Sequence, residues 1–386
     1  MRILYVVARA VEVNASSSIR NNATINGLIE NGHDVTVVSC EPSDTSSNYD
    51  PSLKPEGAKL VYFKLGGAHT IANKVKGGWL NKLLKSVYRL FKKNDIYDNL
   101  KPIINHVEEI DVKNYDLVIS SSDPKSSHLF VDKLFKYHHC SKPWIQIWGD
   151  PFADDISMNH TNLSKIKREE NRLLSLATKV VYVSYLSCIS QKKKYPANAH
   201  KMAFVPIPYY KERISNKMFP DSFEKAQICY CGDYVSSVRS LTPLYEAVKD
   251  LGMKMTVCGR SDIVLNSTDN ITILPRQSAS FVRDIEDTSD ILIHLSNLSG
   301  TQVPGKIFQY AATNKTIIFI LDGDSEKLKE MFGKYNRFIF VNNDKESIKY
   351  VLARIAELKE TVSNNPLKDY SCKYISKEIV DLVKFN

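Results

Sequence analysis

Cationic side chains follow apolar runs in the second half of the chain, and residues in such positions can bind an anion. Lys306 follows the apolar run Ile291–Leu295 and a turn-forming stretch that includes Pro304. Pro304 suits the opening of a helix, because the N–H groups of a first turn have no intrahelical partner to lose. We predict a helix from Lys306 to about Thr313, where the helix dipole and the lysine charge favour an anion. The alternative is an ordinary strand–turn–helix unit without a ligand.

Two arginines lie in comparable positions near the ends of other predicted strands. Arg239 follows a strand predicted at 227–231, and Arg260 directly follows a strand predicted at 255–259. In parallel α/β sheets, ligands bind beyond the carboxyl ends of the strands. The two arginines and Lys306 therefore form one candidate cluster for binding phosphate.

The first half of the chain offers one well-placed carboxylate. Asp150 follows a strand predicted at 142–148, so it is the best carboxylate candidate in this half. A role as a cap or turn residue before Pro151 is the alternative. His128 lies near the start of a predicted helix in the same region and is a weaker candidate.

A serine-rich loop joins the first predicted strand to the first predicted helix. It contains Ser17 and Ser18, and Arg20 follows them. Serine hydroxyls and N–H groups at a helix start can hold a phosphate or a sugar. One serine could equally well do no more than cap the helix.

The elements that must position these residues alternate between strand and helix over 386 residues. A chain of this length exceeds what one core usually supports, so two domains are expected. The segment from 207 to about 223 is rich in turn formers and charges, and we place the domain boundary there. No apolar run approaches the roughly 20 residues that cross a bilayer.

The cysteines indicate the compartment of the protein, and its net charge indicates what kind of partner it binds. The seven cysteines are mostly far apart, and the spacing of Cys229 and Cys231 fits buried thiols on one strand face better than zinc. We therefore expect no metal site and a reducing cytoplasm.

Nearly all of the +9 net charge lies in residues 1–210. This excess predicts an anionic partner, and no nucleic-acid module accompanies it.

The segment 74–93 differs from the rest of the chain because it has seven basic residues and no acidic one. Its apolar residues, beginning with Trp79, recur at helical spacing. A basic amphipathic helix of this kind is suited to an anionic membrane surface. Packing of the same apolar face on a neighbouring domain is the alternative.

The segment PGKIFQYAATNKTII, residues 304–318, resembles the donor-site helix of the retaining family 4 glycosyltransferases of the GT-B class. The pattern of that family is P-x-K, a hydrophobic residue, F-E-Y, small residues and then G-K-P. Here Gln309 replaces the glutamate, and Asn314 and Thr316 replace the glycine and the proline. The stretches GHDVTVVS and YDLVISSSDP resemble other parts of the same enzymes.

The resemblance implies an α/β fold of the GT-B type, with two Rossmann-like domains that face each other across a cleft. Residues 1–210 would form the acceptor domain, joined by a C-terminal helix at 366–386 that crosses back to it. Residues 222–365 would form the domain that binds the nucleotide-sugar donor.

The resemblance also assigns roles to individual residues. The donor would be bound by Arg239, Arg260, Gly300, Lys306 and Gln309, and the acceptor or cleft would be lined by Ser17, Ser18, Arg20 and His128. Asp150 and Thr301 would be the catalytic residues, although the family often has a glutamate at the position of Thr301. Asp233 stands where the family has an arginine, and Arg239 could supply that charge. No metal and no cofactor are implied, because the nucleotide-sugar is a co-substrate.

The activity implied is sugar transfer, with retention, from a nucleotide-diphosphate sugar to a glycan acceptor such as a lipid-linked surface polysaccharide. The protein would be cytoplasmic and bound peripherally to the inner face of the cell membrane through residues 74–93. Because of Thr301, Gln309 and Asp233, a catalytically silent GT-B subunit that partners another glycosyltransferase is an alternative. A sugar-nucleotide epimerase is less favoured, because no acid–base set of carboxylates and histidines can be assembled from the sequence.

Overall fold

The computed structural model describes residues 1–43, 48–65, 95–155 and 162–384. These residues form two compact units, of which unit 1 comprises residues 1–206 and 375–386 and unit 2 comprises residues 207–374. The basic segment 74–93 lies outside the described residues. In the part of the chain that is described, no helix is long and apolar enough to span a membrane.

Unit 1 is built on a seven-stranded parallel sheet with the strand order β3-β2-β1-β4-β5-β6-β7. Its strands are β1 (Arg2–Val6), β2 (Asp34–Cys40), β3 (Lys59–Phe63), β4 (Leu117–Ser121), β5 (Trp144–Trp148), β6 (Lys179–Tyr182) and β7 (Met202–Phe204). Its helices are α1 (Ser16–Glu30), α2 (Ser126–Tyr137), α3 (Leu163–Leu176) and α4 (Tyr185–Lys194), with a 3₁₀ segment at Lys101–Glu109. Strands β4 and β5 are buried along their whole length, as expected for parallel strands covered on both faces.

Unit 2 repeats this plan with a six-stranded parallel sheet of order β10-β9-β8-β11-β12-β13. Its strands are β8 (Gln227–Cys231), β9 (Lys254–Cys258), β10 (Ile271–Leu274), β11 (Ile291–Leu295), β12 (Thr316–Leu321) and β13 (Ile339–Asn342). Its helices are α5 (Thr242–Leu251), α6 (Ala279–Thr288), α7 (Lys306–Tyr310), α8 (Ser325–Gly333), α9 (Lys345–Ala353) and α10 (Ile355–Leu358).

The last helix, α11 (Cys372–Asp381), begins in unit 2, and its residues from Ile375 onward belong to unit 1. Within unit 1, the Ser376 hydroxyl donates to the backbone oxygen of Thr24 on α1 at 2.8 Å. Ile375 and Ile379 are also buried. The end of the chain is therefore fastened to the first helix of unit 1.

Each sheet reverses its winding direction once, and such reversals create the crevices in which α/β proteins bind ligands. In unit 1 the reversal lies between β1 and β4, and in unit 2 it lies between β8 and β11. The residues just beyond these four strands are therefore the first places to look for a site.

Candidate functional site

Arg239 bridges the two strands at the reversal in unit 2. Its Nε donates to Oδ1 of Asn297, which follows β11, at 2.8 Å, and its Nη1 donates to the backbone oxygen of Asp233, which follows β8, at 3.0 Å. Asn297 in turn donates from Nδ2 to the backbone oxygen of Gln302 at 3.1 Å. The guanidinium is half-buried and fixed by the two loops, so its charge is held at the place where the fold binds ligands.

Two glycines allow the loops after β8 and β9 to interlock. A Cβ on Gly259 would lie 2.0 Å from the backbone oxygen of Gly232, so no larger residue fits there. Asp233 fastens the same contact, because its Oδ1 accepts from the N–H of Arg260 at 2.9 Å. This contact gives Asp233 a structural role at the position where the family that the sequence resembles has an arginine. The Arg260 side chain is 72% exposed, with its Nη2 3.5 Å from Oδ2 of Asp233.

The predicted sugar-contacting loop follows β11 in the same unit. Gly300 has a φ of +88°, a left-handed conformation that favours glycine. Thr301 is the next residue and is half-buried. The N–H of Leu298 donates to the backbone oxygen of Val238 at 2.8 Å, which holds this loop beside Arg239. Arg239, Gly300 and Thr301 are therefore held in neighbouring loops of unit 2.

Lys306 has a partner that the sequence did not reveal. Its Nζ forms an ion pair with Oε1 of Glu286 on α6, a residue whose side chain is 1% exposed. Burial alone would raise the pKa of Glu286, but Lys306 and Arg213 outweigh it and lower that pKa. The carboxylate is therefore ionised, and it compensates part of the lysine charge.

The helix that begins at Lys306 is shorter than predicted. It ends at Tyr310 rather than near Thr313, because the Thr313 hydroxyl donates back to the Tyr310 backbone oxygen at 2.8 Å. The backbone oxygen of Ala312 accepts from the N–H of Arg213 at 2.9 Å, outside any helix. A helix of only five residues offers a weak dipole, so any anion here must be held mainly by side chains.

Two of the three departures from the motif, Gln309 and Asn314, contact the segment 208–215. Gln309 donates from Nε2 to the backbone oxygen of Pro208 at 3.1 Å. Asn314 accepts from the N–H of Ser215 at 2.9 Å and donates to its backbone oxygen at 2.8 Å. A glutamate could not make the first bond, because an ionised carboxylate has no hydrogen to donate. Gln309 and Asn314 therefore hold the segment 208–215 in place through hydrogen bonds.

In unit 1, Arg20 lies at the reversal of the sheet. Its Nη2 donates to the backbone oxygen of Ser122 and, at 3.4 Å, to the Ser121 hydroxyl, both at the end of β4. A Cβ on Gly149 would lie 2.5 Å from Nη1 of Arg20, so the absence of a side chain at 149 makes room for the guanidinium. The predicted cleft residue Arg20 is thus adjacent in space to the loop that carries Asp150.

The hydroxyls of Ser17 and Ser18 form hydrogen bonds with the loop that precedes α1. Ser18 is buried, and its hydroxyl donates to the backbone oxygen of Ala10 at 3.4 Å, whereas the Ser17 hydroxyl accepts from Nη1 of Arg9 at 3.0 Å. Neither caps α1, because its N-cap is Ala15 and no side chain makes a capping bond. Of the two, Ser17 is the more accessible.

Asp150 belongs to a cluster of three carboxylates. Carboxylate oxygens of Asp123, Asp150 and Asp155 lie within 4.8 Å of one another, a spacing that could also hold a metal ion. The buried Lys125 compensates them, because its Nζ is ion-paired with Asp123 and lies 3.5 Å from Asp155. Burial first, and then the charge of Asp123, raise the pKa of Asp150 to about 7, although Lys125 opposes this shift. This carboxyl can therefore exchange a proton near neutral pH.

His128 is buried beneath this edge of the sheet. Its ring packs against that of Trp148 with centroids 4.4 Å apart and the ring planes tilted by 33°, and its Nδ1 is 2.7 Å from the Ser120 hydroxyl. Trp144 donates from Nε1 to the same hydroxyl at 2.8 Å. Burial, and then Lys125, hold the pKa of His128 well below its usual range. The ring is therefore neutral, and its Nε2 has no hydrogen-bond partner among the described residues.

The structure thus groups the predicted residues within each unit. In unit 1, burial has the largest effect on the pKa of Asp150 and on that of His128, and the charges of Lys125 and Arg20 act on both groups. Sequence reasoning missed Glu286, Lys125 and Asp123, which supply or compensate the charge around Lys306 and Asp150. The sequence signal for Asp123 was its position two residues after β4.

Comparison with known proteins adds evidence on the fold. No protein-family model and no curated protein matches the sequence. Among solved structures, TarM matches with a TM-score of 0.65 and 9% identity, over 100% of this chain and 99% of that one. HepE from Anabaena, in complex with UDP and glucose, matches with a TM-score of 0.59 and 10% identity, over 99% and 97%. A glycosyltransferase from Rickettsia africae matches with a TM-score of 0.57 and 16% identity, over 100% and 99%.

Matches at such low identity establish the fold. The two units, each with a parallel doubly wound sheet, give this chain the GT-B fold. The predicted fold class is confirmed.

Proposed function

We propose that this protein is a glycosyltransferase that uses a nucleotide-diphosphate sugar as its donor. The observation that carries the proposal is a match over almost the full length of both chains to a protein that binds UDP and glucose. The cations fixed in unit 2 support the same proposal. They lie near the reversal of the sheet, where a diphosphate would be expected to bind.

The chemistry follows from the charge of the leaving group. As the bond between the sugar and the phosphate breaks, the departing diphosphate gathers negative charge that fixed cations can stabilise. We propose that three side chains stabilise this charge. They are Arg239, which is fixed by its bonds to Asn297 and Asp233, the exposed Arg260, and Lys306, which is paired with Glu286. We propose retention of configuration without a metal, by a front-face route in which the leaving phosphate helps to deprotonate the acceptor. Such a route needs no separated pair of carboxylates, unlike most glycoside hydrolases.

Replacing Lys306 tests the donor site. Lys306→Ala should weaken binding of the nucleoside diphosphate by about 1.5–3 kcal/mol, the range for a hydrogen bond to a charged group. Titration calorimetry with UDP, GDP and ADP measures this change, and a thermal-stability screen of nucleotide-sugars identifies the donor, because a ligand that binds only the folded state stabilises it.

The matched control for this experiment is Lys327→Ala. Lys327 is also a lysine of unit 2, but it pairs with Asp324 and its side chain is 57% exposed. Its replacement should leave nucleotide affinity unchanged. Equal affinities of wild type and Lys306→Ala for the nucleotide would remove Lys306 from the donor site.

The acceptor that we propose is a lipid-linked glycan at the inner face of the membrane. The basic excess of residues 1–210 and the segment 74–93 support it. Replacing Lys82, Lys85, Arg89 and Lys92 by glutamine should reduce binding to anionic vesicles, because each cation near the surface contributes about 1 kcal/mol. Vesicle sedimentation at low and high salt measures this, and high salt should mimic the substitutions. Failure of wild type to bind anionic vesicles at low salt would refute the membrane role.

A catalytically silent subunit is the second candidate, and two contacts favour it. The amide of Gln309 is occupied by the backbone oxygen of Pro208, and the charge of Lys306 is partly compensated by Glu286. Transfer from a labelled nucleotide-sugar by the isolated chain separates the candidates. Tight nucleotide binding without transfer from any donor would favour the silent subunit.

A further inference from the structure

Arg213, in the first segment of unit 2, and Lys306 both form ion pairs with the same buried carboxylate, that of Glu286. Oε1 of Glu286 is ion-paired with Lys306, and its Oε2 lies 2.8 Å from Nη1 of Arg213. Only 1% of the Glu286 side chain and 17% of the Arg213 side chain are exposed. Arg213 and Lys306 therefore share one desolvated negative charge.

Arg213 is held in place from several directions. Its N–H donates to the backbone oxygen of Ala312 at 2.9 Å, and its Nη2 lies 2.9 Å from Oδ1 of Asp287. The flanking bonds of Gln309 to Pro208 and of Asn314 to Ser215 fix the backbone on either side. The guanidinium is thus positioned by the fold rather than by the ion pair alone.

We propose that Arg213, acting through Glu286, is a positioning residue that sets the affinity of Lys306 for the diphosphate of the donor; this inference rests on the proposed function. A carboxylate with two cationic partners holds neither of them as strongly as it would hold one. Arg213 takes up part of the negative charge of Glu286, which leaves the ammonium of Lys306 able to attract a phosphate. Without Arg213, Glu286 would draw Lys306 toward itself and cancel its charge.

The inference predicts changes of opposite sign at the two partners. Arg213→Gln should raise the Kd for the nucleoside diphosphate about tenfold, within the roughly 5–150-fold typical of coupled sites. Glu286→Gln keeps the shape of the side chain but removes the charge that competes with the phosphate, so it should lower the Kd about threefold. A merely structural role would make both variants bind more weakly.

Lys217→Gln is the matched control. It removes the same charge four residues further along the same segment, where Lys217 pairs with Asp290 at 2.7 Å and donates to the backbone oxygen of Thr288 at 2.8 Å. Its Kd should stay within about twofold of wild type, because it does not contact Glu286. Arg213→Lys keeps the positive charge at this position, so its Kd for the nucleoside diphosphate should be closer to that of wild type than the Kd of Arg213→Gln.

The experiment is titration calorimetry of the full chain with whichever of UDP, GDP and ADP wild type binds. The effect of Arg213→Gln should disappear in a Lys306→Ala background, because the coupling passes through Lys306. Equal affinities of Arg213→Gln and Lys217→Gln, or weaker binding by Glu286→Gln, would overturn the inference while leaving the proposed function intact. If wild type bound no nucleotide, the proposed function would fail, and the inference would fail with it.

Discussion

Asp150→Asn should lower the rate of sugar transfer by about 10²–10⁴-fold, the range for a group that acts in acid–base catalysis. The structure gives this carboxyl two properties that the role requires. It lies two residues after β5, at the carboxyl edge of the sheet, and burial together with Asp123 raises its pKa to about 7. An ionised Asp150 can orient the acceptor hydroxyl or stabilise positive charge on the sugar. Asparagine keeps the shape and removes the charge.

The rate should be measured as transfer from a labelled donor to an extract of lipid-linked acceptors. Asp154→Asn is the matched control, because Asp154 lies in the same loop but is bound to Lys194 and Gln191 instead of the cluster. It should retain most of the activity. Full activity of Asp150→Asn would eliminate the catalytic assignment of this residue.

The raised pKa also predicts how pH acts on wild type. Since the proposed role of Asp150 requires the ionised carboxylate, the rate of transfer should rise with pH and level off above about 7. The stability of the folded protein should change with pH in the opposite direction and fall as the pH rises. The reason is that a carboxyl whose pKa is raised in the folded state binds more protons there than in the unfolded chain. Its contribution is fully favourable below the ordinary value of 3.8 and is lost as the pH rises to about 7. Asp150→Asn should lack this part of the pH dependence in urea unfolding.

Glu170→Ala should destabilise the protein by about 3 kcal/mol or more, because each buried donor left without a partner costs about 1–3 kcal/mol. Glu170 is fully buried on α3. Its carboxylate accepts from the N–H groups of Phe152 and Ala153 at 2.5 and 3.4 Å and from the Tyr195 hydroxyl at 2.7 Å. It thereby anchors the backbone directly after Asp150, so the activity of the folded variant should fall as well.

Tyr195→Phe is the graded comparison for this prediction. It removes only one of the three bonds to Glu170 and leaves both backbone N–H groups satisfied, so the loss should be about 1 kcal/mol. Urea unfolding followed by circular dichroism gives both values. A loss for Glu170→Ala no greater than that for Tyr195→Phe would mean that water satisfies the freed N–H groups and that the loop does not depend on Glu170.

The fold could be predicted from the sequence because its signals are local. A parallel strand covered on both faces is a short, nearly continuous apolar run, and β11 has the bounds Ile291–Leu295 that the apolar run indicated. The helix after Lys306 was predicted too long. Its true end depends on the Thr313 hydroxyl and on a bond from Arg213, which lies about 100 residues earlier in the chain.

The partners in the site could not be predicted, because they come from distant parts of the chain. Glu286 lies in a helix in which Arg283, Asp284 and Asp287 are exposed, and no local pattern separates it from them. Its partners Arg213 and Lys306 are 73 and 20 residues away. Sequence reasoning located the residues at strand ends but could not show which charges compensate them.

The bond from the Gln309 amide to Pro208 bears on attempts to restore the family motif by consensus engineering. A glutamate at 309 would place a carboxylate against the backbone oxygen of Pro208, where two acceptors face each other without a hydrogen. A glycine at 314 would remove both bonds to Ser215. The two residues fasten the same segment, so their effects should not add. Each of the two residues therefore depends on the other and on the sequence of 208–215. Restoring the family residue at one position would loosen that segment.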